Sequence, residues 1–120
     1  QTYSKVRLLG LVFDKLKLVD EKICVIRLTE EMFNRSGASD EQTNDIVSHG
    51  LTIENVKISI LIKVFRDKIK VSLRSKDDIN VCEVAQKFGG GGHIKAAFVT
   101  EYTMDEIEEI LIGEFRKLLK

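Results

Sequence analysis

The 120-residue chain contains no proline, no tryptophan and only two cysteines. Without proline, no strand or helix is interrupted by a fixed φ, so element ends must be set by glycine and by polar caps. Cys24 and Cys82 lie in apolar contexts and form no Cys-x-x-Cys pair. They read as free buried thiols of a reducing compartment rather than as a disulfide. Nor do Cys24, His49, Cys82 and His93 stand at any usual zinc-ligand spacing. An excess of one charge is also missing, since 19 basic and 19 acidic residues cancel. Tracking along long nucleic acid calls for a strongly basic surface, so that class is disfavoured, while a short ligand with a few phosphates stays compatible. No apolar run approaches the roughly 20 residues of a membrane span, and no signal-peptide pattern opens the chain. The expectation is a cytoplasmic protein with no membrane partner. The chain begins at Gln1 rather than methionine, which suggests a piece of a longer protein.

What is present is ordinary for a globular domain: 43% hydrophobic and 32% charged residues, with no repeat and no linker. Residues 1–120 are read as one domain. Val6, Leu9, Phe13 and Leu16 are spaced as the apolar stripe of a first helix. Lys15–Val19 and Lys22–Leu28 read as a hairpin turning at Asp20-Glu21. Thr29 caps a short helix that Gly37 ends, and Ser39-x-x-Gln42 opens another that runs to about His49 and stops at Gly50. From Asn55 to Phe65 apolar and polar residues alternate, and Arg66-Asp67-Lys68 returns the chain into a second strand from Ile69 to Ser75. There Ile69, Val71 and Leu73 belong to the core, leaving Lys70, Ser72 and Arg74 on the other face. Asn80-x-x-Glu83 caps a helix carrying Val81, Val84, Ala85 and Phe88. Thr103-x-x-Glu106 caps the last, whose core face is Ile107, Ile110, Leu111, Phe115, Leu118 and Leu119. The fold class is therefore α/β, with a mixed, partly antiparallel sheet of about five strands flanked by helices.

The feature that calls for a use is Gly89-Gly90-Gly91-Gly92-His93. Four glycines carry a large conformational-entropy cost and pack no side chains. One reading is a flexible connector. The other is a phosphate cradle, in which bare N–H groups of Gly90, Gly91 and Gly92 converge on an anion and the run feeds a helix N-terminus beginning near His93. Arg74 offers a planar fork suited to phosphate, and Ser72 and Ser75 offer hydroxyl donors. Each also has a plainer reading as a solvated strand residue, and Lys76 reads as solvated. The acidic pairs Glu30-Glu31, Asp77-Asp78 and Glu108-Glu109 read as solvated helix ends and faces, not as a catalytic dyad.

Taken together, Val71-Ser72-Leu73-Arg74-Ser75-Lys76, then Ile79-Asn80-Val81 through Phe88, then Gly-Gly-Gly-Gly-His resemble one family. It is the DHH-associated C-terminal domain of DHH phosphoesterases, which include RecJ exonucleases and the nanoRNase/3′-phosphoadenosine-5′-phosphate phosphatases. Within that family the chain resembles the nanoRNase branch. The resemblance runs over most of the chain, with one departure: Phe98 stands where the family pattern Gly-Gly-Gly-His-x-x-Ala-Ala-Gly ends in glycine. The resemblance implies that Arg74 contacts substrate phosphate and that His93 is the family's histidine. It also implies that catalysis belongs to a separate N-terminal domain holding manganese at an Asp-His-His signature. No Asp-His-His occurs here, so no catalytic residue, metal or cofactor is expected in this chain. The implied function is substrate binding for a phosphoesterase of short RNA or 3′-phosphonucleotides, with the catalytic DHH domain of the same chain as partner and a homodimer left open. The alternatives are cyclic dinucleotides or polyphosphate as substrates, or a non-catalytic nucleic-acid module like the C-terminal domain of alanyl-tRNA synthetases.

Overall fold

The computed structural model describes residues 2–76, 78–92 and 95–120, the side chain of Lys95 excepted. The described elements run α1 (Tyr3–Lys15), β1 (Lys17–Val19), β2 (Ile23–Leu28), α2 (Glu30–Ser36), a 3-10 turn (Asp40–Thr43), α3 (Ile46–Gly50), β3 (Ile58–Phe65), β4 (Lys68–Ser75), α4 (Cys82–Gln86), β5 (Gly91–Gly92), β6 (Lys95–Thr100) and α5 (Met104–Leu118). Among the described residues the sheet has six strands in the order β1-β2-β3-β4-β6-β5. Only β2 and β3 pair in parallel, and the other neighbours are antiparallel. The parallel pair needs a crossover, which α2, the 3-10 turn and α3 supply.

Local chemistry accounts for most boundaries. The side chains of Thr2, Thr29 and Thr103 accept the N–H of Lys5, Met32 and Glu106, capping α1, α2 and α5. Gly37 ends α2 at φ 75°, a conformation that suits glycine. The β1–β2 and β3–β4 hairpins turn through residues other than glycine: Asp20 and Glu21 at φ 54° and 60°, and Arg66 at φ 60°. At the first of them Arg116 reaches across from α5 and donates to both carboxylate oxygens of Asp20, at 2.8 and 3.3 Å.

The sheet has a core on each face. One is built from Ile58, Ile60, Ile62, Val71, Leu73 and Phe98 under α4 and α5; the other from Cys24, Ile26, Leu28 and Leu61 under α1 and α3. The central strand β3 is consequently buried on both sides for its first six residues. Cys24 and Cys82 are free, and burial pushes the Cys24 thiol up to about 11. Gly50 is more than a stop signal: a Cβ there would collide with Ser59 Oγ and lie 3.0 Å from Cys24 Sγ, so its bareness lets α3 press onto the sheet.

Several expectations are corrected. Of the expected α1 stripe, Leu9, Phe13 and Leu16 pack partly buried against the core while Val6 is 52% exposed, and the fully buried residues of the helix are Leu8 and Val12. The helix expected from Ser39 to His49 is broken into the 3-10 turn and α3, although the Ser39–Gln42 capping box is present. Asn80 receives the N–H of Cys82 at 3.0 Å, but α4 begins after Val81 without a side-chain cap. Glu108 is not solvated: it is 5% exposed and pairs with Lys17 and with Arg27 at 2.9 Å. The largest change follows the glycines. The chain enters strand β6 at Lys95, not a helix, since Ala96 and Phe98 are needed in the α4/α5 core and alternate with residues on the opposite face.

Phe98 itself is 5% exposed and stacks on Phe88 with ring centroids 4.6 Å apart. Phe98→Ala should therefore cost about 3–5 kcal/mol in urea unfolding, the range for deleting a buried phenyl ring. A loss below about 1 kcal/mol would mean that the ring is not a packed part of this core.

Candidate functional site

The helices α1 to α3 cover only part of their face of the sheet. Beyond Leu61 that face continues as Lys63 on β3, Lys70, Ser72 and Arg74 on β4, and Ala97 on β6. Register fixes the rows: Ser59 lies opposite Arg74, Leu61 opposite Ser72 and then Ala97, and Lys63 opposite Lys70. A cleft of about 430 Å³ opens over this region. Thr43, the last residue of the 3-10 turn, and Asn44 after it wall one side, and Gly91 also lines the cleft.

The electrostatics are those of an anion site. Arg74 Nη1 donates to the Leu73 carbonyl at 3.0 Å, while its Nε is buried with no partner among the described residues. An unpaired buried donor of this kind costs about 1–3 kcal/mol until a ligand satisfies it. Burial also pushes the Arg74 pKa below its ordinary value, as expected of a cation short of water and of counter-charge. On the next strand Lys63 is 3% exposed, its Nζ 2.9 Å from Thr43 Oγ1 and 2.9 Å from Asp40 Oδ1. A concave, polar surface with three cations and a serine can bind phosphate. No group of three or more His, Cys, Asp or Glu residues among the described residues could hold a metal ion. The groups described here can bind and orient an anion.

The sequence-predicted site residues divide. Arg74, Ser72 and Gly91 line the cleft together. Ser75 does not join them. It falls on the core side of β4, 8% exposed, where its Oγ donates to the Ile79 carbonyl at 2.6 Å and ties down the loop after the strand. Gly90 serves the packing instead, because its N–H donates to the Ala85 carbonyl at 3.0 Å and is not available to an anion. Gly92 belongs to β5, opposite Ala96. His93 lies outside the described residues. Lys63, Thr43 and Asn44 went unread in the sequence, and Lys70 was placed on the polar face with Ser72 and Arg74 but given no role. For Lys63 and Lys70 the signal was there, as lysines on the same strand face as Ser72 and Arg74 once the hairpin register is known. Thr43 and Asn44 had no such signal, because a crossover brings them in from another part of the chain.

Glycine geometry separates packing from binding. A Cβ on Gly90 would fall on the Ala97 carbonyl and 2.7 Å from Phe98 Cβ, whereas a Cβ on Gly91 meets nothing within 4 Å. Gly90→Ala should therefore lower the melting temperature clearly. Gly91→Ala should melt close to wild type and, if the Gly91 backbone approaches a ligand, lose nucleotide affinity. Melting curves beside calorimetric titration with adenosine 5′-monophosphate measure both. Equal losses of stability in the two variants would refute the division.

Comparison with known proteins accords with this geometry. Residues 20–119 match the family model of the DHHA1 domain. Over 119 residues the chain is 30% identical to a Streptococcus mutans protein named "Probable bifunctional oligoribonuclease and PAP phosphatase NrnA", covering 98% of this chain and 38% of that protein. Over 86 residues it is 34% identical to the cyclic-di-AMP phosphodiesterase PdeA of Listeria monocytogenes, covering 65% of this chain and 13% of that protein. The crystal structure of an exopolyphosphatase-related protein from Bacteroides fragilis superposes with a TM-score of 0.88 at 28% identity, over 100% of this chain and 37% of that one. The chain thus spans little more than a third of the length of the Streptococcus relative. With the family model matched over residues 20–119, the chain belongs to the DHHA1 domain family, the C-terminal domain of DHH phosphoesterases.

Proposed function

We propose that this chain is the substrate-binding part of a metal-dependent DHH phosphoesterase that hydrolyses short oligoribonucleotides or 3′-phosphoadenosine 5′-phosphate. The observation that carries the reading is Arg74: a half-buried guanidinium at the floor of a cation-lined cleft, with its Nε unpaired among the described residues. Ser72, two residues along the same strand face, supplies a hydroxyl, and Gly91 gives the ligand access to backbone. The activities in the name of the Streptococcus relative support the choice of substrate class. In this reading bond cleavage, with manganese, belongs to a catalytic DHH domain of the same protein, acting in the cytoplasm. The residues described here do not fit a two-metal site.

A second reading, hydrolysis of cyclic dinucleotides, is favoured by the likeness to the Listeria cyclic-di-AMP phosphodiesterase. Both place a phosphate on Arg74, and competition titrations with cyclic and linear dinucleotides separate them by the order of affinities.

Two outcomes test the proposal. Arg74→Ala should weaken binding of adenosine 5′-monophosphate by about 1.5–3 kcal/mol, as for a hydrogen bond to a charged group, with the fold retained. Arg74→Lys should recover only part, since a point charge cannot reproduce the fork. Wild-type affinity in the alanine variant would remove Arg74 from the site. Separately, the 120-residue chain with manganese should turn over no dinucleotide and no 3′-phosphoadenosine 5′-phosphate. Metal-dependent turnover that survives repurification would overturn the assignment of catalysis to another domain.

A further inference from the structure

Lys63 and Lys70 are directly opposed across β3 and β4 on the cleft face. Like charges in that position, about 5 Å apart at Cα, repel and weaken the sheet. Lys63 is also nearly fully buried, at 3% exposure, in a strand whose neighbouring position on β2 is Leu28. Burying an ammonium costs several kcal/mol, and an apolar side chain of similar volume is often as stable or more so. The compensation present is modest: one half-exposed carboxylate, Asp40, and the hydroxyl of Thr43. Lys70 rests with its ammonium 5.5 Å from the centroid of the Phe65 ring, a weak contact that it can leave. Packing does not call for two lysines here.

We infer that Lys63 and Lys70 form a second anion station in the cleft, which takes a second phosphate of the ligand. This deepens the phosphate reading of the cleft and rests on it. Lys70 and Arg74 are four residues apart on one strand, about 13 Å of backbone, farther than a single phosphate group spans. The two stations therefore call for a ligand with phosphates at both ends of a nucleoside or on successive nucleotides. Ser72 lies between them on the same face, and Thr43, which holds Lys63 Nζ at 2.9 Å, fixes that ammonium at the wall. A second phosphate would relieve the Lys63–Lys70 repulsion, and Asp40 would stand in as counter-charge when the ligand leaves.

The test compares adenosine 3′,5′-bisphosphate with adenosine 5′-monophosphate by calorimetric titration of the 120-residue chain and four variants. Wild type should prefer the bisphosphate. Lys63→Met and Lys70→Met should each cut the ratio of the two affinities by about tenfold, the factor for one lost charge-assisted contact. Lys70→Arg should restore most of it. Lys63→Met should melt at or above the wild-type temperature, which separates loss of a ligand contact from loss of structure. Arg74→Ala should weaken both ligands, and if it weakens neither, the reading of Arg74 fails without touching the ratio test. An unchanged ratio in both lysine variants, or a wild type with no preference for the bisphosphate, would overturn the second station.

Discussion

The arrangement depends on unequal cover of the two faces of one sheet. On the α4/α5 side, Ile58, Ile60, Ile62, Val71, Leu73, Ala96 and Phe98 carry an apolar layer from β3 to β6. On the opposite side the helix layer ends near Leu61, and the strands continue bare. Strand alternation then leaves no choice: while Val71 and Leu73 are held in the core, Lys70, Ser72 and Arg74 must point into the uncovered region. The cleft is thus a by-product of a register fixed by burial elsewhere. It also explains how a rigid central hairpin can present polar groups, since the packed face over-determines their positions.

The glycine run shows one stretch serving two ends. Gly90 is squeezed between the end of α4 and strand β6, close to the Ala97 carbonyl and Phe98, and its N–H closes onto Ala85. Gly91, one residue on, has open space beside it and faces the cleft. Phe98 belongs to the same contact. Its ring stacks on Phe88, so Phe98 fills the core beneath the loop rather than the pocket above it. On the cleft side, the residue that matters for access is Ala97, which lies opposite Ser72.

Charge is balanced over the chain but unevenly placed. Lys63, Lys70 and Arg74 lie on one face of the sheet. On the other, Glu108 joins Lys17 and Arg27, and Arg27 also reaches Asp105 at 2.8 Å. A net charge of zero therefore disfavours long-range attraction of polyanions while allowing a local field strong enough for a small phosphorylated ligand.

Much of this was written locally in the sequence. The β3–β4 hairpin, the caps at Thr29 and Thr103 and the glycine terminator at Gly37 depend on near neighbours and formed as the pattern implied, except that β3 begins at Ile58 rather than Asn55 and is buried on both faces over its first six residues. Arg74 and Ser72 could be assigned to a polar face for the same reason. Residue order could not say that Ser75 is used up by Ile79, that Glu108 is buried against Arg27, or that Gly90 is a packing residue and Gly91 an open one. Nor could it say that the chain after the glycines is a strand. Alanines at 96 and 97 suit a helix locally, but the edge of β4 had backbone groups to satisfy, and Phe98 had a place in the core. The cleft wall at Thr43 and Asn44 came from a crossover some 20 residues away in sequence from Lys63. Near-neighbour chemistry determined the elements, and competition for burial and for backbone partners between distant segments decided which of their residues meet in the cleft.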